Sequence, residues 1–226
     1  MKMLFYITVR ISVKTLFTLC LLLYSISTQP AIAITPTHLG LEKDCPTGGQ
    51  ECALEYFKNL TKGLCVEEII TVDPKYWQES RKAYPLPAYK QAVNMPKEIP
   101  LDQIRFMQDS ASGDFSDDKH DIIEIAQKIR DGQKKVTDLP PIEVWLDDHG
   151  NIWTTNHRRL ITMLISGVVQ KAPVIFVDQA VVQQNAYEFT TTNEGSKIIV
   201  KLTDQLGMVV GHTNRCAKAM GKLGKD

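Results

Sequence analysis

Two periods of apolar residues alternate along the second half of this chain. In "DDKHDIIEIAQKIRDG", Ile122, Ile123, Ala126 and Ile129 fall on one face of a helix, with Asp117 or Asp118 as its cap and Gly132 as its stop. In "PPIEVWLDDHGNIWTTN", β-branched and aromatic residues flank "DDHGN", whose Asp, Gly and Asn tolerate the positive φ of a tight turn; the pattern predicts a hairpin. A second helix, "HRRLITMLISG", puts Leu160, Ile161, Leu164 and Ile165 on one side and stops at Gly167. Before these elements, "QIRFMQ" reads as a strand; after them, "KAPVIFVD" reads as a buried one. A weaker helix or loop over "AYEFTTTNEG" leads to β-prone "SKIIVKL" and "MVVGH". Strands and helices mixed in one compact unit predict an α+β fold with a small mixed sheet.

The preceding segment has a different texture. Prolines at 74, 85, 87, 96 and 100 exclude long helices and central strands there. One short helix, "ECALEYFKNLTKG", is expected to end at Gly63. The chain therefore divides into a leader over 1–33, a cysteine- and proline-rich extension over 34–98, an α/β domain over 99–211 and a basic tail over 212–226.

The leader has the order of an export signal. Lys2, Arg10 and Lys14 precede the apolar run "TLFTLCLLLYS", and "AIA" ending at Ala33 supplies the small residues of a cleavage site. The run is short for a spanning helix, which wants about 20 apolar residues. The expectation is a cleaved signal, a periplasmic or secreted product and no stable membrane span.

Loss of those three cations turns the even balance of 26 Lys+Arg and 26 Asp+Glu into a net of −3. Non-specific duplex-DNA binders draw affinity from an excess of cations, so that class is not indicated. Cys20 leaves with the leader, whereas Cys45, Cys52, Cys65 and Cys216 remain. Two disulfides suit an oxidising compartment, and four cysteines allow three pairings. Cys45 with Cys52 would close "CPTGGQEC", and Cys65 with Cys216 would tie extension to tail. A metal site competes, although the spacing lacks a C-x-x-C pair.

The candidate chemistry lies in "IWTTNHRRL". The first amides of a helix lack intrahelical partners, and the macrodipole adds about half a positive charge there. Thr154, Thr155 and Asn156 add hydroxyl and amide groups, with Asn156 also suited to capping. Arg158 and Arg159 supply planar cationic forks suited to phosphate. Positive side chains oppose the dipole at this end, so an anion would relieve a cost of about 0.3–1 kcal/mol each. The competing reading pairs one arginine with a carboxylate of "DDH" and leaves the other in water. Trp145 and Trp153 either pair across the hairpin or stack on a base.

The order "IPLDQIRFMQDSASGDF", "IIEIAQKIRDG", "LPPIEVWLDDHGNIWTTNHRRLITMLISG" and "APVIFV", over about Ile99 to Asp178, resembles the ParB/sulfiredoxin-like domain superfamily. In the DNA-partitioning branch of that superfamily the corresponding box reads Gly-Glu-Arg-Arg, and in sulfiredoxins it contains Gly-Cys-His-Arg; both bind nucleotide phosphates with it. Here it reads Asn156, His157, Arg158, Arg159. The sulfiredoxin nucleophile falls at Asn156, which speaks against sulfinic-acid repair. The partitioning glutamate is replaced by His157, and no helix-turn-helix reader follows.

The resemblance implies a ParB-like nuclease or nucleotide hydrolase, exported and acting as a toxin or effector. Its phosphate would be held by Thr155, Asn156, Arg158, Arg159 and Gln108. His157 would serve as general acid or base. Asp109, beside Gln108, would orient a water or hold Mg²⁺, with Asp147 or Asp148 as more distant candidates. The alternative function is a non-catalytic secreted module that recognises a nucleotide, a peptide or a host or target-cell protein.

Overall fold

The computed structural model describes residues 45, 49–113 and 121–212. The leader, Asp117, Asp118, Cys216 and nearly all of the basic tail lie outside the described residues. So, therefore, does the expected Cys65–Cys216 pairing.

The first described element, α1 (Gln50–Leu60), buries Ala53 and Phe57, and the Cys45–Cys52 disulfide staples its first turn to the preceding chain. Then come β1 (Glu68–Thr71), the single turn α2 (Tyr76–Glu79), β2 (Tyr89–Lys90) and β3 (Glu98–Pro100). The region expected to hold one helix thus also supplies strands. β1 pairs antiparallel with the late strand over Leu206–Gly211, so the extension forms the edge of a sheet whose centre lies in the α/β domain. Only two of its residues, Ile69 and Ile70, are even partly buried, and such a short run lacks the alternation that marks a strand.

The remaining elements are β4 (Ile104–Phe106), β5 (Ser110–Ser112), α3 (Ile122–Arg130), β6 (Ile142–Asp147), β7 (Ile152–Thr154), α4 (His157–Ser166), β8 (Lys171–Phe176), α5 (Gln179–Gln184), β9 (Lys197–Lys201) and β10 (Leu206–Gly211). The class is mixed α+β. One sheet runs β1-β10-β9-β5 and the other β3-β8-β6-β7-β4, with β2 added beside β6. β4 and β5 are consecutive in sequence but belong to different sheets, each running parallel to its neighbour. Residues Met107 to Asp109 carry the chain round that corner.

Local chemistry explains where the elements begin and end. Asp121 caps α3 by accepting from the Ile123 amide at 2.7 Å, in place of the expected Asp117 or Asp118. The predicted face, Ile122, Ile123, Ala126 and Ile129, is buried as expected, and α3 packs on α4 through it. Each of those isoleucines contributes about 1.5–3 kcal/mol by leaving water. Gly167 ends α4 at φ 76°, and a Cβ there would collide with the Cys65 sulfur. Both the left-handed backbone and the close approach demand glycine.

The predicted hairpin is β6 and β7, with Trp145 directly opposite Trp153 and their rings stacked 6.2 Å apart. Both are buried, so they pair within the protein and offer no face to a base. With Met107, Val182 and Phe189 they form a small second core, separate from the main one between sheets and helices. The turn is organised by Asp147, whose carboxylate accepts from the His149 and Asn151 amides, the Asn151 side chain and Trp153 Nε1 at 2.7–3.0 Å. Burial alone would raise this carboxyl; the hydrogen bonds outweigh burial and hold it below its ordinary 3.8. Among the described residues no helix is long and apolar enough to cross a membrane.

Candidate functional site

The box before α4 is bolted to the start of β6. Thr154 Oγ1 donates to the Glu143 carbonyl at 3.0 Å, the Thr155 amide donates to that same carbonyl at 3.3 Å, and Thr155 Oγ1 reaches Glu143 Oε2 at 3.3 Å. Asn156 does not cap the helix with its side chain. Its Oδ1 accepts instead from the Glu143 amide at 2.7 Å and from Arg159 Nη1 at 3.0 Å. Arg159 Nη1 also donates to the Pro141 carbonyl at 2.9 Å. The first turn of α4 therefore carries no capping side chain from Asn156 and no acid. Neither Asp147 nor Asp148 pairs with Arg159; both belong to the hairpin tip.

A pocket of about 210 Å³ opens at this helix end. Six residues singled out from the sequence line it: Gln108, Thr155, Asn156, His157, Arg158 and Arg159. The corner at 107–109 explains how Gln108 arrives there. Met107 points into the small core, where Trp145 Nε1 donates to its sulfur at 3.2 Å, and the next residue faces the other way. Across the pocket stand Ala111 and Ser112 of β5 and Glu188, from the 3-10 turn Ala186–Glu188.

His157 lines the pocket, yet its imidazole is committed to the scaffold. Nε2 accepts a hydrogen bond from the Met107 amide at 3.2 Å, and the ring stacks on Phe106. Complete burial, with the neighbouring Arg158 charge, pushes its pKa down to about 3. It is a neutral acceptor at physiological pH, an arrangement unlike the general acid or base expected from the sequence.

Asp109 is equally engaged and does not line the pocket. Its carboxylate accepts from the Thr192 amide at 2.8 Å, Thr192 Oγ1 at 2.7 Å and Asn193 Nδ2 at 3.4 Å. Its own amide donates to Thr190 Oγ1 at 3.1 Å. Asp109 thus fastens the loop that follows Glu188. Among the described residues no group of three or more His, Cys, Asp or Glu is placed to hold a metal ion.

Glu188 is the group that sequence reasoning missed. Half-burial raises its carboxyl above the ordinary 4.5, opposed by a hydrogen bond from Tyr187 and by the charge of Arg158. Nothing local distinguishes "AYEF" as functional, because its relation to α4 arises only when residues 186–188 fold back over β5. The pocket is thus a cationic helix end facing one carboxyl of raised proton affinity. Such a site has the charge to accept an oxyanion and one titratable group to exchange a proton with it. No family model, no curated protein and no solved structure matches this chain.

Proposed function

We propose that this chain is an exported ParB/sulfiredoxin-like module that binds a nucleotide or nucleic-acid phosphate at the N-terminus of α4. The observation that carries this reading is the convergence of Thr155, Arg158, Arg159 and Gln108 on one open pocket at a helix end without a capping side chain. Helix amides and guanidinium forks suit phosphate oxygens, and placing an anion there reverses the unfavourable meeting of two arginines with the helix dipole.

Where the bound group is a phosphodiester, Glu188 is the residue fitted to the chemistry. As a carboxylate it takes a proton from the attacking water, the water oxygen bonds to phosphorus, and the leaving oxygen departs with its electron pair and is protonated from solvent. Arg158 and Arg159 balance the charge that develops on the phosphoryl oxygens. Neither His157 nor Asp109 takes part in this scheme. Their engagement in the scaffold favours a second reading, in which the pocket recognises a phosphate without cleaving it.

Calorimetry tests the pocket, and a cleavage assay separates the two readings. Arg158→Ala should weaken nucleotide binding by tenfold or more in both; Glu188→Gln should abolish cleavage of a dinucleotide only in the first. Unchanged binding by the Arg158 variant would refute the pocket itself.

A further inference from the structure

Among the described residues, the imidazole of His212 is the buried polar side chain without a hydrogen-bond partner: neither ring nitrogen is bonded, and both are shut away from water. A buried donor and acceptor left unpaired are costly, so their position calls for a reason. His212 stands directly after β10, its own amide donating to the Ser196 carbonyl at 3.2 Å. Its ring stacks on Phe106, with centroids 5.3 Å apart and planes at 20°. Phe106 ends β4, a strand of the other sheet, and the same phenyl ring carries His157 of α4 at 6.5 Å. Two imidazoles, one from α4 and one from the end of β10, thus share one buried aromatic neighbour. The residue after that neighbour is Met107, whose amide donates to His157 Nε2.

The surroundings of both rings disfavour a proton. Burial holds His212 below its ordinary 6.5, against the Gly195 backbone and the carboxylates of Asp102 and Glu67, and Arg105 of β4 adds to the depression. None of these acceptors is idle enough to rescue an imidazolium. The Gly195 carbonyl already accepts from the Phe106 amide at 3.0 Å, Glu67 pairs with Lys197 Nζ at 3.2 Å, and Arg105 pairs with Glu194 at 3.6 Å. At His157 the partner is an amide that can only donate, so a proton on Nε2 would set N–H against N–H beside the Arg158 charge. An aromatic face attracts a cation, but Phe106 would have to serve two, each close to an arginine.

We propose that this shared stack is an acid-sensitive latch: protons taken up by His212 and His157 break the packing on Phe106 and the bond to the Met107 amide, freeing the corner at 107–109 and with it the Gln108 wall of the pocket. The sign follows from linkage. A histidine held below its ordinary value in the closed latch regains that value when the latch opens, so the open state binds more protons. The closed form is favoured fully above pH 6.5 and progressively less below it. This regulation goes beyond the phosphate reading and does not depend on it.

The test is amide hydrogen exchange with histidine-selective NMR on the full oxidised chain, without ligand, from about pH 7.5 to about pH 5. After correction for the intrinsic pH dependence of exchange, protection of the Met107 amide should fall by about tenfold or more, while amides inside α3 keep theirs. His212→Phe keeps a stacked ring and cannot bind a proton; it should reduce that fall by about threefold or more. His212→Gln should act in the same direction and makes the comparison where the Phe variant does not fold. The double variant His212→Gln, His157→Gln should lose most of the response. Level protection of Met107 across the range, or a fall as large in the His212 variants as in the native chain, overturns the latch. So does a native His212 imidazole that titrates at 6.5 with the Met107 and His157 signals unmoved. None of these outcomes touches the phosphate reading, which a phosphate titration at neutral pH decides separately.

Discussion

Nε2 of His157 accepts a hydrogen bond from the backbone amide of Met107, joining the first turn of α4 to the corner where the chain leaves β4 for the other sheet. The bond fixes the site's geometry by orienting two of its walls, the helix end and Gln108, with respect to each other. It also removes the histidine from acid–base chemistry.

A stability test follows from that bond. A histidine whose pKa is depressed from 6.5 to about 3 binds a proton more readily unfolded than folded. Its contribution is complete above pH 6.5 and is lost as pH falls from there toward 3, at roughly 1.4 kcal/mol per pH unit. His157→Gln keeps an acceptor and cannot titrate. Urea unfolding at several pH values should show a shallower acid loss in the variant, by about one proton over that window. Equal slopes would mean that His157 is not buried as a neutral base.

Asp109 should behave as a fastener. Asp109→Ala leaves the Thr192 amide and hydroxyl without their acceptor, at a cost of about 2–3 kcal/mol. The melting temperature should fall by about 5 °C or more. An undisturbed melting curve together with lost phosphate binding would point instead to a direct role in the site.

Glu188 should oppose anion binding once ionised. Because half-burial raises its proton affinity in the folded state, its contribution to stability is greatest below the ordinary 4.5 and declines as pH rises through the raised value. Its negative charge then also faces the phosphate. Glu188→Gln should tighten inorganic phosphate binding at pH 7 by roughly 3- to 10-fold, flatten its pH dependence and leave the protein no less stable. Weaker binding by this variant would assign the carboxylate a supporting contact to the ligand.

Much of the fold was legible because periodicity reports burial. The face of α3, the hairpin and the opposed tryptophans follow from local spacing. Of the predicted α4 face Leu160, Ile161 and Ile165 are buried and Leu164 only partly, with Thr162 and Met163 buried off that face. Cys45–Cys52 is one of three pairings the cysteine count left open. Gln108 and the run Thr155 to Arg159, which the family resemblance and not local spacing placed together, line one pocket although Gln108 and Thr155 are 47 positions apart. What local sequence could not reveal was the direction of side chains in that run. Asn156 has the composition of a cap, but Glu143 and Arg159 claim its oxygen, and both contacts depend on how β6 lies beside the box. The same limit hid Glu188, which reaches the site only through the fold-back at 186–188. His157 and Asp109 show the converse: residue types rich in chemical promise are also the strongest hydrogen-bonding partners for a buried corner.

Amide chemical shifts during a titration with inorganic phosphate test the anion pocket most directly. The largest changes should fall on the backbone amides of His157, Arg158 and Arg159 and on the Gln108 side chain, saturating together, and Arg158→Ala should suppress them. Shifts confined to other parts of the surface, with those amides unmoved at saturation, would contradict a phosphate at the head of α4.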